Sequence, residues 1–93
     1  MSNNINISGF DIDTEDDEII EEYLNDNSKL EVKVHHYTDL GWHISGIGRY
    51  GCCSLSIVLR KDRSSVDIDK DVDKYDIIGY TEDDKYYYIF IPL

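Results

Sequence analysis

Residues 11–26 read DIDTEDDEIIEEYLND, and their pattern decides how the rest of the chain must fold. The stretch carries nine carboxylates (Asp11, Asp13, Glu15, Asp16, Asp17, Glu18, Glu21, Glu22 and Asp26), and no Lys or Arg. Thr14 reads as an N-cap, since its hydroxyl can accept from a free first-turn N–H, with Asp17 as a short capping-box partner. Glu15 to Glu18 then sit where the helix dipole favours negative charge. Ile19, Ile20, Tyr23 and Leu24 fall at i, i+1, i+4 and i+5, one apolar stripe at helical period. The predicted helix thus has one face to bury and an almost wholly anionic opposite face. Like charges at i, i+4, such as Asp17/Glu21 and Glu18/Glu22, cost about 0.2–0.5 kcal/mol each. Such a helix needs a sheet to pack on.

The remaining chain supplies one. Ile5-Asn6-Ile7 reads as a short edge strand ended by Gly9. Asn25 to Ser28 is turn chemistry, and Leu30 to His35 alternates at period two like a half-buried strand. Thr38 to Gly41 reads as the next turn. Trp42 to Ile47 forms a second strand, with Trp42 in the core and Gly46 and Gly48 marking a bulge or a close backbone approach. In a third strand Cys53, Leu55, Ile57 and Leu59 line one face and Ser54, Ser56 and Val58 the other. Arg60 to Ser65 reads as a polar loop carrying the one concentration of positive charge, and Val66 to Asp71 as strand or extended loop. Tyr75 to Tyr80 and Lys85 to Ile91 flank Thr81-Glu82-Asp83-Asp84 as a hairpin, closed by Pro92. Ninety-three residues make one domain. The expected fold class is α+β: one N-terminal helix packed on a largely antiparallel sheet of about four to five strands.

Composition narrows the function. The formal net charge of −11, from 20 acids against 9 bases, disfavours nucleic acid and anionic membrane as partners and favours a basic protein. With 41% apolar residues the chain is expected to fold despite that charge. No apolar run approaches the ~20 residues of a membrane span, and no signal-peptide pattern opens the chain, so a cytoplasmic location in a bacterial host is expected. Adjacent Cys52 and Cys53 would point to opposite strand faces, one inward and one outward, and read as reduced thiols.

Catalytic and metal chemistry lack a signature. His35, His36, His43, Cys52 and Cys53 are zinc-ligand types, but the vicinal pairs diverge where C-x₂₋₄-C or H-x₃₋₅-H would converge. Asp67-Ile-Asp69-Lys-Asp71 begins like an EF-hand loop, yet Val72 stands where Gly is needed and Ile78 where Glu should bind. The frame opening at Asp11 fails at Asp16. No catalytic residue, metal site or cofactor is assigned, and the chain reads as a non-enzyme.

What remains is acidity organised in clusters: the helix face, the row Asp67, Asp69, Asp71, Asp73 and Asp76, and the hairpin tip Glu82, Asp83, Asp84. On an extended segment residues two apart share a face at about 6.5–7 Å. A duplex carries one phosphate per about 3.4 Å of axis on each strand. Rows of carboxylates at such spacing could occupy a basic groove in place of phosphate, with Lys70 and Lys74 interrupting the second row. Solubility alone explains many charge runs, but a solubility surface usually mixes signs and residues 11–28 do not. Tyr86-Tyr87-Tyr88 puts tyrosines on both faces of one strand, so at least one, Tyr87, is expected exposed beside Asp83 and Asp84 as interface contact area. The expected contact set is Glu15, Asp16, Glu18, Glu21, Glu22, Asp67, Asp69, Asp71, Asp73, Asp83, Asp84 and Tyr87.

A short, strongly acidic, Ile/Asp/Tyr-rich α+β domain of this composition resembles the small phage-encoded anti-CRISPR and anti-restriction inhibitors, over the whole chain in composition and architecture. The resemblance implies an inhibitor that occupies the nucleic-acid channel of a nuclease or CRISPR–Cas effector. A cytosolic immunity protein neutralising a cognate nuclease toxin would present the same surface chemistry, and the adjacent gene would separate the two.

Overall fold

The structure, a computed structural model, describes the backbone of residues 10–50 and 54–93 and the side chains of 15–49 and 55–93. It is an α+β domain in which helices pack on a five-stranded antiparallel sheet of order β1-β2-β3-β5-β4. The strands are β1 (Phe10–Thr14), β2 (His43–Tyr50), β3 (Ser54–Asp62), β4 (Gly79–Glu82) and β5 (Tyr86–Pro92). Helices α1 (Asp17–Asp26) and α2 (Ser28–Asp39) lie between β1 and β2 in sequence, and the single turn α3 (Ile68–Asp71) precedes β4. Ile5-Asn6-Ile7, Cys52 and Cys53 lie outside the described residues. Among the described residues no helix is long and apolar enough to cross a membrane.

The acidic stretch divides differently from the expectation. Phe10–Thr14 is strand, paired antiparallel with β2 from Phe10↔Tyr50 to Thr14↔Ile47, with an irregularity between Ile12 and Thr14. Its FDIDT alternation is a period-two signal that the run of acids concealed. Thr14 therefore does not cap the helix. Asp16 does, its Oδ1 accepting from Glu18 N–H at 2.9 Å. Carboxylate caps are among the strongest, because the oxygen satisfies a free donor and complements the dipole. Ile20 is buried and Leu24 half-buried against the core, while Ile19 and Tyr23 remain largely exposed.

Residues 30–35 are helix and not strand. Leu30 and Val34, with Tyr37, are buried at i, i+4 and i+7, whereas Val32, apolar at the alternating position, is 69% exposed. Asn27 supplies the missing start signal: its Oδ1 accepts from Leu30 N–H at 3.1 Å. The other end closes as a Schellman motif, with Trp42 N–H donating to Tyr37 O at 3.0 Å and Gly41 N–H to Thr38 O at 3.1 Å. Gly41 has φ +103°, where side chains are strained. The Tyr37 and Trp42 rings meet edge-on at 6.4 Å, the apolar contact that accompanies this motif. Lys61 Nζ donates to Leu40 O at 2.6 Å, placing a cation at the negative end of α2. A Cβ on Gly41 would come within 3.3 Å of Lys61 Cε. Gly41→Ala is expected to cost about 1–2 kcal/mol, visible as a lower urea midpoint with unchanged slope.

The two sheet faces have separate cores. Toward the helices, Ile47, Ile57, Leu59, Ile89 and Ile91 pack with Ile20, Leu30, Val34, Tyr37 and Trp42. The opposite face gathers Val58, Tyr88 and Phe90. The β3 alternation is as the sequence predicts, with Leu55, Ile57 and Leu59 on the helix face, although β3 continues through Arg60 and Lys61 to Asp62 where a loop was expected. Arg60 Nη1 donates to Ser45 Oγ at 2.9 Å, at the bulge between Ile44 and Gly46. The hairpin is present but shorter on its first arm: β4 begins at Gly79, and residues 74–76 form a turn. Trp42 is in the core at 1% exposure, its Nε1 buried without an acceptor among the described residues.

Candidate protein-interaction surface

The three acidic clusters become physically different objects once folded. On α1, its cap and the residue before the cap, Glu15, Asp16, Asp17, Glu18, Glu21 and Glu22 are all exposed. Helical neighbours three and four apart stand about 5–6 Å apart at Cβ, so these carboxylates form one dense negative field. The last turn of α1 carries no base, and Asp26 sits where the α1 dipole disfavours it, beside the N-terminus of α2 that begins at Ser28.

The second cluster does not form an extended row. Residues 68–71 coil into α3, so Asp67, Asp69 and Asp71 do not alternate along a strand. Several of its carboxylates serve local backbone. Asp67 Oδ1 caps α3 by accepting from Asp69 N–H at 3.2 Å, and Asp71 Oδ2 accepts from Asp67 N–H at 2.8 Å. Asp73 Oδ1 accepts from Tyr75 N–H at 2.9 Å. Asp76 Oδ2 accepts from the buried Tyr37 phenol at 2.8 Å, and that phenol oxygen in turn accepts from Asp73 N–H at 3.1 Å. Burial, and then the neighbouring carboxylate of Asp76, push the Tyr37 hydroxyl up to about 12. Tyr37→Phe removes both bonds and is expected to lower stability by about 1–2 kcal/mol, measured by urea unfolding at neutral pH.

The third cluster is a turn lock. Asp83 Oδ1 accepts from Lys85 N–H and Tyr86 N–H, both at 2.8 Å, and Oδ2 accepts from the Tyr88 hydroxyl at 2.9 Å. Burial pulls the Asp83 carboxyl upward, but these three donors and the Arg63 charge outweigh it and hold the group below the usual carboxylate range. Burial and the bond to Asp83 push the Tyr88 hydroxyl up to about 12. Glu82 pairs with Arg63 at 3.0 Å, and Arg63 Nη1 also donates to Asp83 O. Asp84 is exposed at the tip.

Tyr87 does not stand free as expected. Tyr88 is buried, and Tyr86 and Tyr87 are half-buried. Arg60 lies over the Tyr86 ring at 5.5 Å, and Arg63 over Tyr87 at 6.0 Å. Tyr87 also meets Tyr80 edge-on at 6.3 Å, so the neighbouring strand covers the side that a lone strand would expose. Among the described residues the tyrosine that projects furthest into water is Tyr75, which the sequence pattern does not single out.

Of the candidate metal ligands, Cys52 and Cys53 lie outside the described residues. His35 and His36 are exposed on α2, and His43 opens β2. Among the described residues no three His, Cys, Asp or Glu side chains converge on a common point able to hold a metal ion. The groove between α2 and the α3 segment is lined by His36, Tyr37, Asp69, Asp73 and Tyr75, among others. Comparison with family models, with curated proteins and with solved structures finds no match for the chain.

Proposed function

We propose that this chain is a non-catalytic inhibitor that lays the carboxylate face of α1 against the basic nucleic-acid-binding groove of a nuclease or CRISPR–Cas effector, inside a bacterial host cell. One observation supports the reading above others: six carboxylates from Glu15 to Glu22 are exposed along one short helix and the two residues that lead into it, in a stretch without a base. Asp16 caps α1 and the first-turn acids complement its dipole, but Glu21 and Glu22 lie past the first turn and repel Asp17 and Glu18 at i, i+4, so fold stability does not account for those two. Asp67, Asp71, Asp73 and Asp83 have such an account, because their oxygens hold turns. The contact set therefore centres on Glu21 and Glu22, with the exposed Glu15, Asp16 and Glu18 beside them and Asp84 as an outlying candidate.

In this mechanism a field of several like charges draws an Arg/Lys-lined groove from a distance, which makes association fast and salt-sensitive. The helix then occupies the groove and excludes the polyanion that belongs there. Immobilised protein should retain a basic nucleic-acid-processing enzyme from host lysate at low salt and release it along a salt gradient. Added protein should block that enzyme's binding of nucleic acid. Retention indifferent to salt, or an enzyme that still binds its nucleic acid when saturated with this protein, would overturn the reading.

A further inference from the structure

Tyr75 is 96% exposed, well beyond any other exposed large apolar side chain among the described residues. Single exposed aromatics are ordinary on loose segments. This segment is fastened. Tyr75 N–H donates to Asp73 Oδ1, and Asp76 N–H donates to Asp73 O at 3.0 Å. Asp73 and Asp76, on either side, are both bonded to the hydroxyl of Tyr37, a fully buried residue on α2. One buried phenol thus holds both flanks of a turn whose central ring is left in water. Covering that ring would gain its burial without the usual cost of ordering a loop.

The chain itself shows what such rings accept. Tyr86 and Tyr87 are each covered by an arginine of their own molecule, Arg60 and Arg63. Tyr75, at its exposure, has no such cover. Residues 67–76 hold five Asp against two Lys, and a carboxylate that accepts one local hydrogen bond keeps its charge and further lone pairs, so the surroundings still attract a cation. Guanidinium is the cation that stacks flat on a phenol ring while donating to carboxylates beside it. We infer that Tyr75 is a preorganised aromatic anchor for an arginine-bearing segment of a basic protein partner. The sign of that partner's charge rests on the reading of the preceding section; the position of the contact does not.

The test is a titration of isotope-labelled protein at low salt, followed by NMR, with an oligoarginine peptide and an oligolysine peptide of equal length. The Tyr75 ring and the amides of residues 73–76 should shift, with a midpoint about two- to fivefold tighter for oligoarginine. Tyr75→Ala, at so exposed a position, should leave the fold intact and abolish that preference. Tyr37→Phe should weaken it while leaving the Tyr75 ring in place. Equal midpoints for the two peptides, or a preference that survives Tyr75→Ala, overturn the anchor, and a preference unaffected by Tyr37→Phe overturns its preorganisation. Shifts confined to α1 amides would overturn the anchor while supporting the acidic helix, and no shift with either peptide would count against both.

Discussion

Combined Glu18→Lys, Glu21→Lys and Glu22→Lys is expected to abolish capture of the basic partner while leaving the protein folded. Each swap adds two charges, taking the formal net charge from −11 to −5. The fold should tolerate the change because all three side chains are exposed. Glu18→Lys, near the helix start, opposes the dipole by about 0.3–1 kcal/mol, whereas Glu21→Lys converts the repulsion with Asp17 into an attractive i, i+4 pair. These effects nearly cancel, so helix content and thermal midpoint should hardly move. Binding is another matter. Three attractive contacts become three like-charge contacts against a cationic groove, and juxtaposed like charges cost several kcal/mol. A loss of at least about 100-fold in affinity is expected, much of it in the association rate, with a flattened dependence on salt. Surface-immobilised kinetics across a salt series would measure it. Capture of the same partner with unchanged kinetics would place the contact elsewhere on the molecule.

The legible part of the fold was the part in which two physical signals agreed. In β3, period-two alternation of Leu55, Ile57 and Leu59 coincides with β-branched and small residues, and no helix cap competes. In the β4–β5 hairpin, two apolar runs flank a turn rich in Asp. At residues 30–35, expected as strand and observed within α2, the signals conflict. Leu30, Val32 and Val34 fit a strand, while Leu30, Val34 and Tyr37 fit a helix, and the tie is broken outside the run, by Asn27 at the start and Gly41 at the end. The Schellman bonds and the Tyr37–Trp42 contact are made by the helix end and have no counterpart in the alternation of a strand. Phe10–Thr14 was hidden for a different reason. Its aspartates run without a break into those of a helix whose cap lies further on, at Asp16.

The surface was less legible, because a sequence counts carboxylates without saying what their oxygens touch. Asp is also the residue whose short side chain caps and turns its own backbone. Asp67, Asp71, Asp73 and Asp83 do this, and Asp76 accepts from a phenol 39 residues away that no local pattern could announce. On α1 the glutamates are too long to cap in this way and remain exposed, so there the count of charges and the available charge nearly coincide. A Glu-rich helical face is for this reason a better sequence indicator of free negative charge than an Asp-rich loop.

That distinction is sharpest at Asp83, where removing one carboxylate is expected to loosen the whole hairpin. Asp83→Ala takes away the acceptor of two backbone N–H groups and of the Tyr88 hydroxyl, all within 2.9 Å. Hydrogen bonds to a charged group contribute about 1.5–3 kcal/mol each, but the position is only half-buried and water can replace part of them. A net loss of about 2–4 kcal/mol is expected in urea unfolding at neutral pH, a large fraction of a small domain's stability. Asp83→Asn should cost less, since its carbonyl retains one acceptor. The pH dependence carries a sign that separates this lock from a mere surface charge. Because the folded protein holds the Asp83 carboxyl below its ordinary value, the stabilisation is fully present above the unfolded value of about 3.9 and is lost as pH falls through the lower folded value. The parent protein should therefore lose stability below about pH 4 faster than Asp83→Ala does, and the two curves should converge in acid. Parallel curves from neutral pH down to the acid limb would mean that the carboxylate does not hold the turn, and Asp83 would then rejoin the acids free to meet a partner.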